Sequence, residues 1–253
     1  MADYISVLHF SPTGGTRKIA LLAAAAFNLE IKEYDLSDPT ADLPVFMAGQ
    51  PVIVCVPVYM GRVPKVLLPT LRKLKGEGAN VLAITVFGNR HYNDALLELC
   101  DILGEQNFNV CAAGAFVAQH SLSAEIAAGR PNTQDALEIQ AFARSAQAKM
   151  EAAGKPASFE VPGNRPYIEI PSTARPIEVS EACTACGLCA QKCPAQAIER
   201  QTPQETDLSL CIGCVRCIHI CPQGARRFPA PVKEKMDAYM AQYAPPKVNE
   251  WYL

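Results

Sequence analysis

Eight of the eleven cysteines of this 253-residue chain lie between Cys183 and Cys221. They form two runs with the same spacing, C-x2-C-x2-C-x3-C-P, and each cysteine of the second run lies 28 positions after its equivalent in the first. The two runs are therefore an internal duplication. Met1–Tyr4 lacks the basic start of a signal peptide, and without a secretory leader such a dense cluster indicates metal binding rather than disulfides.

The spacing predicts which cysteines bind together. Three thiolates on one tight turn reach three irons of a cubane, and the fourth iron needs a ligand from elsewhere, so the fourth cysteine of each run ligates the other cluster. Structural zinc is the alternative, but zinc sites favour separated C-x2-C pairs. The two predicted [4Fe–4S] ligand sets are Cys183, Cys186, Cys189 and Cys221, and Cys211, Cys214, Cys217 and Cys193.

Alternating strands and helices precede the cysteines. Apolar or β-branched runs predict strands at 4–10, 31–36, 51–58, 79–87 and 108–117. Helical patterns cover 17–29, 63–75, 92–103 and 133–153. This alternation predicts an α/β fold with a five-stranded, doubly wound parallel sheet, in which ligands bind beyond the carboxyl ends of the strands.

The loop after the first strand combines hydroxyls with glycines at the start of a helix. Its candidate binding residues are Ser11, Thr13, Gly14, Gly15 and Thr16. Backbone N–H groups at a helix N-terminus form an anion site, and glycine lets the backbone approach closely. The loop has neither the lysine of a Walker motif nor the G-x-G-x-x-G of a dinucleotide fold. It therefore predicts a monophosphate site, with an ordinary polar turn as the alternative.

Two further loops follow the third and fourth strands and would lie beside this one. They supply the other candidate cofactor residues, Pro57, Val58, Tyr59, Met60, Gly61, Gly88, Asn89, Arg90 and Tyr92. Together these loops predict a slot for a flat heteroaromatic ring. His91 and His120 lie at the same end of the sheet. No nucleophile arrangement is visible, and no catalytic residue is assigned.

The loop of residues 11–16 makes the first part of the chain resemble a short-chain flavodoxin, and the cysteine runs resemble those of bacterial two-cluster ferredoxins. Over residues 3–230 the chain is similar to the fused flavodoxin–ferredoxin proteins of anaerobes, the EFR-type ferredoxins. The resemblance implies one FMN, two [4Fe–4S] clusters and low-potential one-electron transfer. In that family a glycine is expected where this chain has Met60.

Composition and motifs suggest four parts: a flavodoxin-like FMN-binding domain at 1–154, a proline-rich linker at 155–177, a two-cluster ferredoxin domain at 178–230, and a helix and tail at 231–253. Within the linker, the segment from Tyr167 to Ile170 is expected to add an edge strand. Arg216 and the pair Arg226–Arg227 are expected to be solvated, with tuning of a nearby cluster by one of these cations as the alternative.

The charge balance and the length of the apolar runs argue against nucleic-acid-binding and membrane-spanning functions. Lys and Arg (23) nearly equal Asp and Glu (25), so the chain has no basic field for nucleic acid. Its longest apolar run, Ile19–Phe27, is too short to span a bilayer. We expect a cytoplasmic electron carrier in which FMN gates one- and two-electron transfer, with a redox partner that presents a basic patch. The alternatives are an FMN-dependent reductase of a small molecule that is supplied with electrons by the clusters, and a redox-responsive binding module.

Overall fold

The computed structural model describes residues 2–38, 41–152, 159–170 and 174–253. Its main sheet has five parallel strands, β1 (Tyr4–His9), β2 (Glu30–Asp35), β3 (Pro51–Pro57), β4 (Asn80–Phe87) and β5 (Asn109–Val117). They lie in the order β2-β1-β3-β4-β5. This is the flavodoxin-like order of doubly wound sheets, so the predicted fold class is confirmed.

Helices cover both faces of the sheet and enclose two apolar cores. The helices are α1 (Gly15–Ala24), α2 (Leu68–Leu71), α3 (Ala95–Glu105) and α4 (Thr133–Glu151). Helices α1 and α4 pack with one core, and α3 packs with the other. Strands β3 and β4 are buried almost throughout because they are covered on both faces, as their continuous apolar runs predicted. No helix among the described residues is both long and apolar enough to cross a membrane.

The predicted helices differ from the observed ones in their bounds, and the predicted helix at 17–29 forms α1 and then a 3-10 turn, Ala25–Phe27. The prediction at 63–75 is largely wrong, because this segment forms a 3-10 turn, Lys65–Leu67, and then only the single turn of α2. Proline has no N–H and clashes with a preceding helical turn, so Pro69 is tolerated only in the first turn of a helix. Helix α3 starts later than predicted and continues through Gly104 to Glu105.

The linker contributes no strand at Tyr167–Ile170, so that expectation was wrong. The segment instead lies along α3, where carboxylates satisfy its donors. Asp94 accepts hydrogen bonds from the backbone N–H of Asn164 (2.9 Å) and of Ile168 (2.7 Å). The rest of the predicted linker lies partly outside the described residues.

The C-terminal segment completes the main sheet. Helix α7 (Ala230–Ala241) precedes strand β8 (Glu250–Tyr252), which pairs antiparallel with β5. The Trp251 ring stacks over Phe116 with a centroid separation of 6.4 Å. Asn249 accepts from the Val117 N–H at 2.9 Å. The chain therefore returns to the sheet after the cysteine segment.

The cysteine segment repeats in its backbone as it does in its sequence. Helices α5 (Leu188–Gln191) and α6 (Arg216–His219) are 28 positions apart, and short strands β6 (Glu178–Val179) and β7 (Arg226–Arg227) pair antiparallel. Left-handed backbone recurs at equivalent positions, which are Ala185 and Gly213, Gly187 and Val215, and Gln196 and Gly224. The duplication therefore extends to the individual turns that present the thiols.

Candidate functional site

A cavity lies beyond the carboxyl ends of the central strands. The predicted cofactor residues that line it are Thr13, Gly15, Thr16, Pro57, Val58, Tyr59, Met60, Gly61, Gly88 and Arg90. Helix α7 covers it with Met236, Tyr239 and Met240, and the second cysteine run contributes Ile212 and Gly213. We call this space the flavin cavity, after the ligand that the sequence analysis expects. It is enclosed by parts of the chain that are far apart in sequence.

The loop before α1 has the geometry of an anion site. Gly14 has a left-handed φ of 93°, which turns the chain into the helix at Gly15. Ser11 does not line the cavity, because its Oγ accepts from the Arg17 N–H at 2.9 Å and holds the loop closed. The Thr16 hydroxyl has no hydrogen-bond partner among the described residues.

The first turn of α1 holds no acidic residue, so no carboxylate competes for its N–H groups. A Cβ at position 15 would make only ordinary van der Waals contact, 3.6 Å from the Ala118 Cβ. Exposed N–H groups, a free threonine hydroxyl and the positive end of the helix suit a phosphate. The donor set therefore fits the phosphate of a mononucleotide.

The loop after β3 makes a tight turn in which Tyr59 and Arg62 exchange backbone hydrogen bonds of 2.9 and 3.1 Å. Met60 and Gly61 both take left-handed φ angles, 53° and 88°. The turn therefore has a conformational reason to favour glycine at position 60, where this chain has methionine. Burial raises the pKa of Tyr59 well above its usual range, and the neighbouring Cys214 and Cys211 thiols add to the rise. The Tyr59 hydroxyl thus lies beside the second cysteine run.

The structure corrects the expectation of a ring contact for Asn89 and Tyr92, neither of which lines the flavin cavity. The Asn89 amide donates to the Tyr243 and Pro245 carbonyl oxygens at 2.5 and 3.0 Å. The Tyr92 hydroxyl donates to a carboxylate oxygen of Glu250 at 2.7 Å. Both side chains hold the C-terminal segment in place, so they shape the cavity only indirectly.

Two polar side chains in the cavity lack a full set of partners. A buried Nη1 of Arg90 has no hydrogen-bond partner in the described part of the chain. Nδ1 of His120 accepts from the Leu122 N–H at 3.1 Å. Burial lowers the pKa of His120 to about 4, so the ring is neutral at pH 7 and carries its proton on Nε2. The cavity therefore has a cation and a neutral N–H donor, both of which suit the polar edge of a flavin.

Each predicted cysteine set surrounds a cavity of its own. The distal cavity is lined by Cys183, Cys186, Cys189 and Cys221. The proximal cavity is lined by Cys193, Cys211, Cys214 and Cys217. The fold thus brings the fourth cysteine of each run to the other run.

The surroundings of the thiols suit iron–sulfur clusters. Backbone N–H groups donate to sulfur at equivalent positions, from Ala197 to Cys193 and from Ala225 to Cys221, both at 3.3 Å. Such hydrogen bonds are among the factors that set cluster potentials. No three His, Cys, Asp or Glu side chains in the described ranges converge closely enough to hold a single metal ion. Four thiols around an apolar cavity fit a cubane.

The proximal cavity adjoins the flavin cavity, because Ile212 lines both. The distal cavity shares no lining residue with either of the other two among the described residues. Side-chain hydrogen bonds also join the cysteine segment to the rest of the described chain on the proximal side. Arg216 donates to Ser37 Oγ at 2.8 Å, and His219 lies 3.0 Å from the Ser121 carbonyl oxygen.

Sequence reasoning placed two arginines wrongly. Arg226 is only 3% exposed, and Arg216 is partly buried. Arg227 is exposed as expected and pairs with Glu178. The duplication could have indicated that both arginines are not fully exposed. Arg216 and Arg226 lie 28 positions after two aliphatic residues, Leu188 and Ile198, and equivalent positions of a repeat tend to have similar burial.

Solved structures with a similar arrangement include flavodoxins and a flavin oxidoreductase. A flavodoxin from the domain Archaea is 13% identical (TM-score 0.45) over 59% of this chain and 99% of its own. The flavodoxin of Streptococcus pneumonia TIGR4 is 16% identical (TM-score 0.42) over 58% of this chain and 99% of its own. The apo form of the NADH:FMN oxidoreductase EMOB is 17% identical (TM-score 0.44) over 58% of this chain and 89% of its own. These similarities are weak, and the fold assignment rests on the strand order.

A search of curated proteins gave no match. Residues 182–226 match the family described as 4Fe-4S dicluster domain. This range contains both cysteine runs completely. This part of the chain is therefore an iron–sulfur domain that follows a flavodoxin-like fold.

Proposed function

We propose that this protein transfers electrons between two [4Fe–4S] clusters, held in the distal and proximal cavities, and one FMN in the flavin cavity. The observation that carries this proposal is that Ile212 lines both the proximal and the flavin cavity. Electron transfer needs closely spaced centres, and this packing holds the two sites against each other. When bound, the clusters supply one-electron chemistry and the flavin supplies one- and two-electron chemistry.

The residues of the flavin cavity have distinct roles in this proposal. Thr16 and the first N–H groups of α1 bind the phosphate, and Tyr59 and Met60 contact the ring. His120 donates its Nε2–H to the polar edge of the ring, and Arg90 adds positive charge there. The flavodoxin-like part then comprises residues 1–154 together with the tail that completes its sheet, while residues 178–230 hold the clusters.

The cover over the flavin cavity favours a carrier over a reductase. A small-molecule substrate needs an open ring face, whereas Met236, Tyr239 and Met240 of α7 line one side of this cavity. No residue near the cavity is assigned a catalytic role. The proposed order of centres is distal cluster, proximal cluster and flavin, with the partner docking near Cys186, which is exposed.

The charge of the loaded protein suggests the kind of partner. The chain carries a formal net charge of −2, and eight thiolates, two cubanes and a phosphate add roughly −6. A partner with a basic patch is therefore favoured electrostatically. None of the eleven cysteines is paired in a disulfide, which suits a reducing compartment, and we propose the cytoplasm.

Cofactor content tests the proposal directly. The full chain, purified without oxygen, is assayed for iron, and the flavin released by acid is identified by mass. We expect about eight irons and one FMN per chain. About eight irons without flavin would overturn the flavin part alone, and zinc in place of iron would overturn the cluster part.

A further inference from the structure

Arg226 is a buried cation that the first cysteine run lacks. Its equivalent 28 positions earlier is Ile198, which is 6% exposed and lines the proximal cavity. Arg226 lines the distal cavity and is 3% exposed. The two halves of the duplication therefore differ by one positive charge at the same place.

The contacts of Arg226 leave its charge without a carboxylate. Nη1 lies 3.6 Å from Cys189 Sγ and donates to the Pro203 carbonyl oxygen at 2.5 Å, while Nη2 donates to Thr206 Oγ1. Its Nε is buried and has no hydrogen-bond partner among the residues that the structure describes. Throughout the described ranges, no Asp or Glu oxygen lies within ion-pairing distance of this guanidinium.

A buried charge is costly unless an opposite charge accompanies it. Among the residues that the structure describes, the groups beside Arg226 that can become anionic are cysteine thiols. Four thiolates with an oxidised cubane carry a net charge of about −2, and reduction adds one more negative charge. A guanidinium at this place therefore stabilises the reduced state more than the oxidised state.

We propose that Arg226 raises the reduction potential of the cluster in the distal cavity and so makes the two clusters inequivalent. This inference rests on the proposed function, since it needs a cluster in that cavity. The direct approach to Cys189 makes the distal cluster the more strongly affected one. Charge and hydrogen bonds at sulfur are two of the factors that set cluster potentials, and Arg226 supplies both.

The test is a potentiometric titration of the full chain, followed by EPR, after iron has been counted. Arg226→Gln removes the charge, and Arg226→Lys keeps it. Arg227→Gln is the matched control, because it removes a neighbouring charge that is exposed and paired with Glu178. We expect R226Q to shift the reduction equilibrium of one cluster at least tenfold toward the oxidised form, which is about 59 mV for one electron. R227Q and R226K should shift it less than threefold.

Equal shifts in R226Q and R227Q would overturn the proposal, as would a lysine variant that shifts as far as glutamine. If R226Q fails to load iron, R226K decides. If R226K binds all its iron and keeps the wild-type potential, the result supports a role for the charge. If neither variant binds iron, Arg226 is only structural and the proposal is overturned. A wild-type chain without about eight irons would instead refute the proposed function.

Discussion

Asn89 and Tyr243 are joined by a hydrogen bond of 2.5 Å from a side-chain amide to a backbone carbonyl. The same side chain donates to Pro245 O and accepts from the Lys247 N–H at 2.8 Å. One residue in the loop after β4 therefore holds three points of the segment that links α7 to β8. Because α7 covers the flavin cavity, this contact controls how firmly the cavity is closed.

Replacing Asn89 should loosen the cover. Asn89→Gly removes three hydrogen bonds without strain, since φ at this position is 64°. We expect a loss of about 2–3 kcal/mol in the free energy of unfolding and faster release of flavin. Asn28→Gly is the matched control, because Asn28 has a φ of 51° and is exposed. Urea unfolding measures the free energy of unfolding, and stopped-flow spectroscopy measures the rate of flavin release. Equal effects in the two variants would contradict the role of Asn89.

Thr16 should contribute to phosphate binding specifically. Thr16→Val removes a hydroxyl with little change in shape, and a hydrogen bond to a charged group is worth about 1.5–3 kcal/mol. FMN should therefore bind about 10- to 150-fold more weakly to this variant. Riboflavin lacks the phosphate and should bind both forms equally in calorimetric titrations. A parallel loss of riboflavin affinity would show that Thr16 acts on the ring or on the fold instead.

Replacing one cysteine should remove only the cluster that its own set binds. Cys186→Ser should remove the distal cluster and Cys214→Ser the proximal one, each leaving about four irons per chain. Cys100→Ser is the control, because Cys100 lines neither cluster cavity, and it should keep about eight irons. Iron assays and EPR distinguish these cases. A variant of either set that kept every iron would exclude that cysteine as a ligand.

His120 should make stability depend on pH. Its folded pKa is about 4, below the ordinary value near 6.5, so between these values the unfolded chain binds a proton that the folded chain does not. Stability should therefore fall by about 2 kcal/mol between pH 7 and pH 5 through this residue. His120→Asn keeps an acceptor for the Leu122 N–H but should lose that slope. Coincident slopes in denaturation series of the two proteins would refute this account.

Replacing glycine by alanine should change the free energy of unfolding in opposite directions at two positions. A Cβ at Gly187 or Gly104 would meet no atom within 4 Å, but Gly187 has a φ of 73° whereas Gly104 lies in α3. Gly187→Ala should cost about 1–2 kcal/mol because of its left-handed backbone. Gly104→Ala should stabilise the protein by about 0.5–1 kcal/mol. Chemical denaturation measures both, and a common sign would contradict the conformational explanation.

The sequence predicted the parts of the fold that depend on local pattern. Buried parallel strands such as β3 and β4 are continuous apolar runs, and that signal is contained in a few residues. The crossed cysteine sets follow from spacing alone, and the structure brings the same thiols together. Such features need no knowledge of distant contacts.

Features that depend on distant contacts were missed. Asn89 and Tyr92 lie in the predicted ligand loop, but whether a side chain turns to the cavity or to the tail depends on residues about 150 positions away. The place of β8 at the edge of β5 could not be derived from Trp251 either. Arg226 is different, because comparison of the two runs would have marked it opposite Ile198.

Strand β8 has a mechanical consequence for the iron–sulfur domain. A domain attached by one flexible tether explores a volume set by tether length, and its encounters with its neighbour follow an effective concentration. Here the cysteine segment leaves the sheet and returns to it, so it is anchored at both ends. The separation between the proximal and flavin cavities is therefore set by the register of β8 on β5 and not by the reach of a linker.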